Sequence, residues 1–539
     1  MQLTSECATA TYEACPFAMP ELDVEVRDTR FVPEVPLDVE TLVRPLGRRY
    51  FWRVAACSAA GCSDFSVVRY LDVGRLRDDF DGDGYSDALV GAPNQDVGAV
   101  PEAGVVYVFA GSRSGISPDR WVALRNPVTD ASLATTARFG HNVASLGDVD
   151  GDGFADAIVG APLLDSLDVL GGTMLDVGAA YLYRGSSDGL VDAPIPIVNP
   201  SVMPATAWFG SSVAGPGDLD GDGYADVVVA AHREDDEIES EVGRVYLYPG
   251  RAGGIDGTAP QTIPSPLSAR LERFGRILAG HGDFDGDGYV ELVSGSPNAN
   301  THRGRAYVFR GGRGPLRVDP EVTLETTATA DGYFGFALGT TGDIDGDGRA
   351  DLVVGALRDE FPTMLDDVGN LHVYLGGPSG LRPETEVRVP SPTPVVDGFF
   401  GFAVGATELD GDPLADVLVG ATGQGALTEG EVLYFRSTGT ISTTPTATIA
   451  HPFGGHARAG FGAGLVVHSD FDGDGHVDVV VGAPRQRRTV DGVGAVFVLT
   501  DPTGSFDPPD ALRIDHPEAQ GGALFGYALD GTGGSDPGN

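Results

Sequence analysis

Short runs of β-branched and aromatic residues with a period of two recur along the chain, as in Val105-Val106-Tyr107-Val108-Phe109, Ala180-Tyr181-Leu182-Tyr183 and Val245-Tyr246-Leu247-Tyr248. This pattern reads as β-strand. Long amphipathic helical stretches are absent from the sequence, and no apolar stretch approaches the roughly 20 residues that a membrane-spanning helix requires. The 78 Gly and 37 Pro among 539 residues mark many turns, hence short strands.

The strands fall into a repeated order. An aromatic-Gly pair comes first: Phe139-Gly140, Phe209-Gly210, Phe274-Gly275, Phe334-Gly335, Phe400-Gly401 and Phe461-Gly462. A strand then leads into the phrase D-x-D-G-D-G-x-x-D, and a β-branched strand such as Val227-Val228-Val229 leaves it. A small turn follows, as in Gly91-Ala92-Pro93, Gly160-Ala161-Pro162, Gly295-Ser296-Pro297 and Gly482-Ala483-Pro484, and then a strand of the type G-x-V-Y-V-F. Seven such units of roughly 60–70 residues point to a propeller or solenoid, not to several unrelated domains.

The nine-residue phrase carries the candidate chemistry. Side-chain oxygens at alternate positions of a tight, Gly-bent loop suit a hard divalent cation, Ca2+ above all. Positions one, three, five and nine offer carboxylates, and position seven its backbone carbonyl. The candidate ligands are Asp79, Asp81, Asp83, Tyr85 and Asp87 in loop 1, and Asp148, Asp150, Asp152, Phe154 and Asp156 in loop 2. Loop 3 offers Asp218, Asp220, Asp222, Tyr224 and Asp226; loop 4, Asp283, Asp285, Asp287, Tyr289 and Glu291. Loop 5 offers Asp343, Asp345, Asp347, Arg349 and Asp351; loop 7, Asp470, Asp472, Asp474, His476 and Asp478. Loop 6, with Glu408, Asp410, Asp412, Leu414 and Asp416, is a worn copy. Glu408 is longer than Asp, and Pro413 stiffens the loop and removes an N–H, so binding there stays open. Six or seven Ca2+ ions are expected.

The ordered pair, loop, turn and strand resemble the FG-GAP repeat, and residues from about 72 onward resemble the integrin α-subunit β-propeller. The resemblance implies a four-stranded antiparallel blade per repeat, with Ca2+ between its first two strands. Repeat 1 lacks an aromatic-Gly pair before Asp79, whereas the chain ends with an orphan pair in Phe525-Gly526-Tyr527-Ala528-Leu529. The C-terminal strand can therefore complete the first blade, leaving few exposed edges. The expected fold is all-β, a closed seven-bladed propeller over residues 72–530, with a flexible Gly-rich tail over 531–539. Residues 1–71 form a disulfide-containing β segment. Within it, Arg49–Ser63 reads as two strands and a tight turn, resembling the end of a fibronectin type III domain.

All four cysteines lie in that segment, and pairing of neighbours, Cys7–Cys15 and Cys57–Cys62, is expected. Disulfides place the protein outside the cytosol, secreted or on the cell surface. No signal peptide is recognised at Met1–Glu6. The formal net charge of −43 argues against nucleic acid. The loops hold 28 of the 78 carboxylates, and seven Ca2+ would bring −43 to −29. With no Lys in the chain, Schiff-base chemistry is excluded.

The aromatic-Gly pairs are expected to pack between blades, and Glu234–Glu241 and Arg485–Arg488 to be solvated loops. Long insertions, Leu163–Gly178, His232–Gly243, Arg358–Gly369 and Arg485–Gly494, fall on the face opposite the Asp loops, where recognition by loops on a rigid scaffold is expected. The function read from the sequence is a monomeric, non-catalytic, adhesive propeller that binds a protein or glycan. Alternatives are a polysaccharide lyase-like enzyme, favoured if a polar funnel converges on His232, Arg358 or Arg485, and a structural spacer in a larger surface protein. A Ca2+-loop phospholipase is disfavoured, since its zinc-bearing domain has no counterpart here.

Overall fold

The computed structural model describes residues 1–4, 22, 23, 37, 44–58, 61–66, 68–167, 172–202, 204–326, 331–360, 365–453, 457–487, 492–500 and 510–530. The described residues are almost wholly strand and turn, with two four-residue helices, Ala131–Ala134 and Ala299–His302.

Repeats 2 to 7 each form a four-stranded antiparallel sheet with strands in sequence order. In repeat 3 these are Phe209–Gly217, Asp226–Ala231, Arg244–Tyr248 and Gln261–Pro264. The second strand is buried along its whole length in every repeat, from Ala88–Ala92 to Asp478–Ala483. Neighbouring sheets cover both its faces, and its composition is accordingly a near-continuous apolar run. Fourth strands such as Ile195–Val198, Gln261–Pro264 and Val322–Glu325 alternate between buried and exposed, with one face in water. Their brevity and their prolines blunt the exposed edges.

The apolar cores lie between consecutive sheets. Phe209 packs with Ala144 and Ile158 of repeat 2 and Tyr246 of repeat 3. The same arrangement recurs through to repeats 6 and 7, and one further core joins Val480 and Val498 of repeat 7 to Val90 and Tyr107 of repeat 1. The aromatic-Gly pairs serve these cores as expected: Phe139, Phe209, Phe274, Phe334, Phe400, Phe461 and Phe525 are all fully buried. Their glycines allow a close crossing of backbones. A Cβ on Gly160 of the G-A-P turn would lie 2.0 Å from Gly210 O of the next repeat, and one on Gly482 would lie 2.4 Å from Gly526 O. Neither position tolerates a side chain.

Repeat 1 contributes three strands, Ala88–Ala92, Val105–Phe109 and Trp121–Arg125. Beside the first of them lies the C-terminal segment: Leu529 bridges antiparallel to Val90, Gly91 N–H donates to Ala528 O at 2.8 Å, and Gly526 N–H donates to Gly91 O at 3.0 Å. Where first strands converge, a cavity of about 90 Å³ is lined by Ser145, Gly215, His281, Thr340, Gly405 and His468, together with Arg77 and Asp530.

The N-terminal residues form a separate four-stranded sheet, in which Arg48–Arg53 pairs with Gln2–Thr4 on one side and Arg69–Val73 on the other. This corrects the two-strand reading of Arg49–Ser63. The partner of Arg48–Arg53 lies further on, at Arg69–Val73, and Cys57–Ser58 and Gly61–Cys62 make a small hairpin of their own. The hairpin is closed by the expected Cys57–Cys62 disulfide. The other expected pair, Cys7–Cys15, lies outside the described residues. Glu234 also departs from expectation. Its carboxylate is buried because Tyr246 Oη, 2.8 Å away, and Arg244 both donate to it.

Candidate metal centres

In repeats 2 to 7 each Asp phrase links the first and second strands, in repeat 1 it precedes Ala88–Ala92, and an internal hydrogen-bond ladder curls it. In loop 2, Asp148 Oδ1 accepts from Gly151 N at 2.7 Å and Oδ2 from Gly153 N at 2.9 Å. Asp150 Oδ1 then accepts from Asp152 N, and Asp152 Oδ1 from Phe154 N, at 3.2 and 3.0 Å. The position-one bonds recur at Asp218, Asp283, Asp343 and Asp470. The curl needs left-handed backbone, and Gly151 and Gly153 supply it at φ 82° and 94°.

The ladder turns the carboxylates toward one another. Asp79, Asp81 and Asp87 each bring an oxygen within 4.8 Å of the others. So do Asp148, Asp150 and Asp156; Asp218, Asp220 and Asp222; and Asp283, Asp285 and Asp287. The donor set is all oxygen, as a hard cation requires. Glu291 Oε1 is a further sign of fit, being buried with no hydrogen-bond partner.

The ninth residue also braces the fold. Asp156 accepts from Val149 N at 3.0 Å and from Gly185 N, just past the third strand, at 2.9 Å. Asp87, Asp226 and Asp351 make the same two bonds. One N–H per oxygen leaves a lone pair on each for a cation. Burial pushes Asp156 and Glu291 up to about 8, Asp478 to about 7, and Asp351 and Asp416 to about 6; Asp87 and Asp226 also lie well above the usual carboxylate range. A cation held there would favour the ionised form.

Loop 6 differs as its sequence suggests. Glu408 accepts from Gly411 N, but Pro413 has no N–H to complete the pair of bonds. Arg436 lies against both Asp410 and Asp412, the latter at 3.2 Å. Arg310 does the same in loop 4, against Asp285 and Asp287, and Arg184 lies 3.5 Å from Asp150 in loop 2. These arginines directly follow the third strand, a recurrence visible in the sequence but unread there.

Family models for the FG-GAP repeat match residues 78–109, 209–248 and 461–499, and one for an FG-GAP-like repeat matches 283–354. The chain thus carries FG-GAP repeats over these stretches. It is similar to integrin α subunits. It is 30% identical over 282 residues to integrin alpha-V of Gallus gallus, covering 52% of this chain and 24% of that one. It is 31% identical over 281 residues to integrin alpha-IIb of Homo sapiens, covering 50% and 25%. The chain spans about a quarter of the length of these curated relatives. Among solved structures, the V. cholerae biofilm matrix protein Bap1 aligns at 14% identity with a TM-score of 0.27, over 57% of this chain and 39% of that one.

The FG-GAP loops also contact one another through the side chain of position seven, a position from which the sequence predicts only a backbone carbonyl ligand. A Cβ on Gly151 would lie 2.5 Å from Tyr224, one on Gly221 2.3 Å from Tyr289, and one on Gly82 2.7 Å from Phe154. Each of these position-seven side chains thus covers the fourth-position glycine of the loop before it, whereas Gly411 of loop 6 has nothing within 4 Å. Tyr85 of loop 1 covers Gly473 of loop 7 in the same way. The aromatic residues at Tyr85, Phe154, Tyr224 and Tyr289 were the available signal.

Proposed function

We propose that the chain is a Ca2+-loaded, non-catalytic β-propeller of seven blades over residues 72–530, displayed or secreted outside the cell, where it binds a protein or glycan. The convergence of carboxylates in the FG-GAP loops carries the reading, with six or seven ions as its stoichiometry. The residues named from the sequence, Asp79 through Asp478, would hold them, and the ions would neutralise carboxylates that otherwise repel. Closure of the ring is supported by the Val90–Leu529 bridge, the core shared by repeats 1 and 7, and the Tyr85–Gly473 contact. The Cys57–Cys62 disulfide fits an oxidising compartment, and no helix among the described residues is long and apolar enough to cross a membrane.

The ligand would meet the face opposite the metal loops. Trp208 and Tyr333 are held there at φ 57° and 56°, a strained conformation for such residues. Arg233 stacks on Trp208 at 4.2 Å and Arg358 on Tyr333 at 4.9 Å. His232, which a lyase reading would employ, is buried beneath Trp208 with Nδ1 2.7 Å from Ser211 Oγ, and burial holds its pKa well down. That favours recognition over catalysis. A screen of surface proteins and glycans in calcium tests the reading. A partner lost when 163–178, 232–243, 358–369 and 485–494 are trimmed supports it; a partner untouched by all four trims contradicts it.

A further inference from the structure

The N-terminal sheet and the residues flanking its strands, 44–47 and 74–77, lie on the metal-loop face, where they reach loops 1 to 4. In loop 1, Arg44 Nη1 is 2.9 Å from Asp81 Oδ2 and Nη2 is 3.3 Å from Asp83 Oδ2, while Leu46 N–H donates to Gly82 O at 2.8 Å. In loop 2, Arg75 Nη1 is 4.0 Å from Asp148 Oδ2, and a Cβ on Gly153 would lie 2.7 Å from Pro45. In loop 3, Arg49 donates to Gly223 O and Tyr70 Oη donates to Asp218 Oδ2 at 3.1 Å. In loop 4, Arg69 donates to Asp287 O at 2.8 Å and lies 3.9 Å from the centre of the Tyr289 ring. Arg49 is itself fixed by two 2.8 Å bonds to Asp72 and by stacking 4.1 Å from the Tyr70 ring.

Two features of this seat matter. The carbonyls that receive the N-terminal donors belong to positions three to six: Asp81, Gly82, Gly223, Asp287 and Gly288. They lie outside the candidate ligand set, whose only backbone oxygen is at position seven. The side chains of Arg44, Arg75 and Tyr70 do fall on candidate ligand carboxylates, Asp81, Asp83, Asp148 and Asp218, but each engages one oxygen and leaves the other carboxylate oxygen and a lone pair for a cation, so a cation and the N-terminal segment can hold the same loop together. The carbonyls are also presented by the curl of the loop, and the curl is what four unscreened carboxylates would strain. Filling the loop with a cation stabilises the shape that the sheet grips.

We propose that the N-terminal sheet is a cation-dependent cap, seated on loops 1 to 4 when they are loaded and released when they are stripped. The proposal rests on the calcium reading above. By reciprocity, the seated cap raises the calcium affinity of loops 1 to 4 over that of loops 5 to 7, since two events that favour one loop conformation favour each other. A coupling of ordinary size would make this about tenfold.

The test is amide hydrogen exchange on the full chain, metal-stripped and calcium-loaded, with calcium calorimetry on the same samples. Arg44→Ala/Arg69→Ala removes two side chains that reach the loops, one from the segment before the Arg48–Arg53 strand and one from the Arg69–Val73 strand, and Tyr70→Phe removes a single hydroxyl as a milder second variant. In the unmodified chain, calcium should slow exchange in the Arg48–Arg53 and Arg69–Val73 strands by about tenfold. Both variants should lose much of that slowing, and calcium should bind more weakly at some sites and unchanged at the rest. Strand exchange indifferent to calcium, while amides of 79–87 are slowed, would overturn the cap and leave the metal sites standing. Exchange unaltered in loops and strands alike would remove the calcium reading and the cap with it.

Discussion

His468 Nε2 lies 2.9 Å from Asp530 Oδ2, and the same carboxylate accepts from both the backbone N–H and the hydroxyl of Ser145. One side chain of the C-terminal segment thus joins first strands of repeats 2 and 7, next to the segment's bridge with repeat 1. Burial alone would raise the Asp530 pKa. The bond to His468 and the positive charges of His468 and Arg77 outweigh burial and hold it well below the usual range.

Asp530→Ala is expected to destabilise the protein by about 3–5 kcal/mol, because it removes a buried anion beside Arg77 and leaves the His468 and Ser145 groups without their acceptor. Urea melts measure this. The sign of the pH effect follows from the depressed pKa. The contribution of Asp530 is complete above the unfolded value near 4 and fades as pH falls below it. Acidification from pH 5 to 3 should therefore cost the unmodified protein more than the variant.

The metal-free protein should behave oppositely at neutral pH. Asp156, Glu291 and Asp478 are raised to about 8, 8 and 7 by burial, so in the folded, stripped chain they bind protons that the unfolded chain has released. Stability then falls as pH rises from about 4 through 8. Calcium should abolish that slope and release protons on binding. Calorimetry in two buffers of different ionisation enthalpy reads the released protons directly.

Two glycine substitutions separate backbone strain from crowding. Gly348→Ala meets no atom within 4 Å and carries only the cost of φ 85°, about 1–2 kcal/mol. Gly151→Ala adds a clash with Tyr224, 2.5 Å from the new Cβ, and should cost more. Equal losses in thermal melts would mean that the aromatic cover contributes nothing.

The repeats were legible because each step has a local cause. Apolar runs such as Val227-Val228-Val229 mark the buried second strand, the two glycines mark the curl, and the orphan Phe525-Gly526 marks the segment beside repeat 1. What stayed hidden depends on pairings distant in sequence. Arg69 meets Asp287 across 218 residues and Arg44 meets Asp83 across 39, so no local pattern foretold the seat of the N-terminal sheet. The strand at Arg69–Val73 was missed because the intervening Cys57–Cys62 hairpin looked like the turn itself. Glu234 was read as solvated because it opens an acidic run, although Tyr246 and Arg244 draw it inward.

Calcium titration of the metal-stripped chain by calorimetry, with thermal melts of the same samples, bears most directly on the central claim. Six or seven bound ions and a melting temperature that climbs with calcium concentration are expected, as mass action requires of a ligand bound by the folded state. Negligible heat with an unchanged melt would contradict the account, and the FG-GAP loops would then be acidic turns held by their own hydrogen bonds.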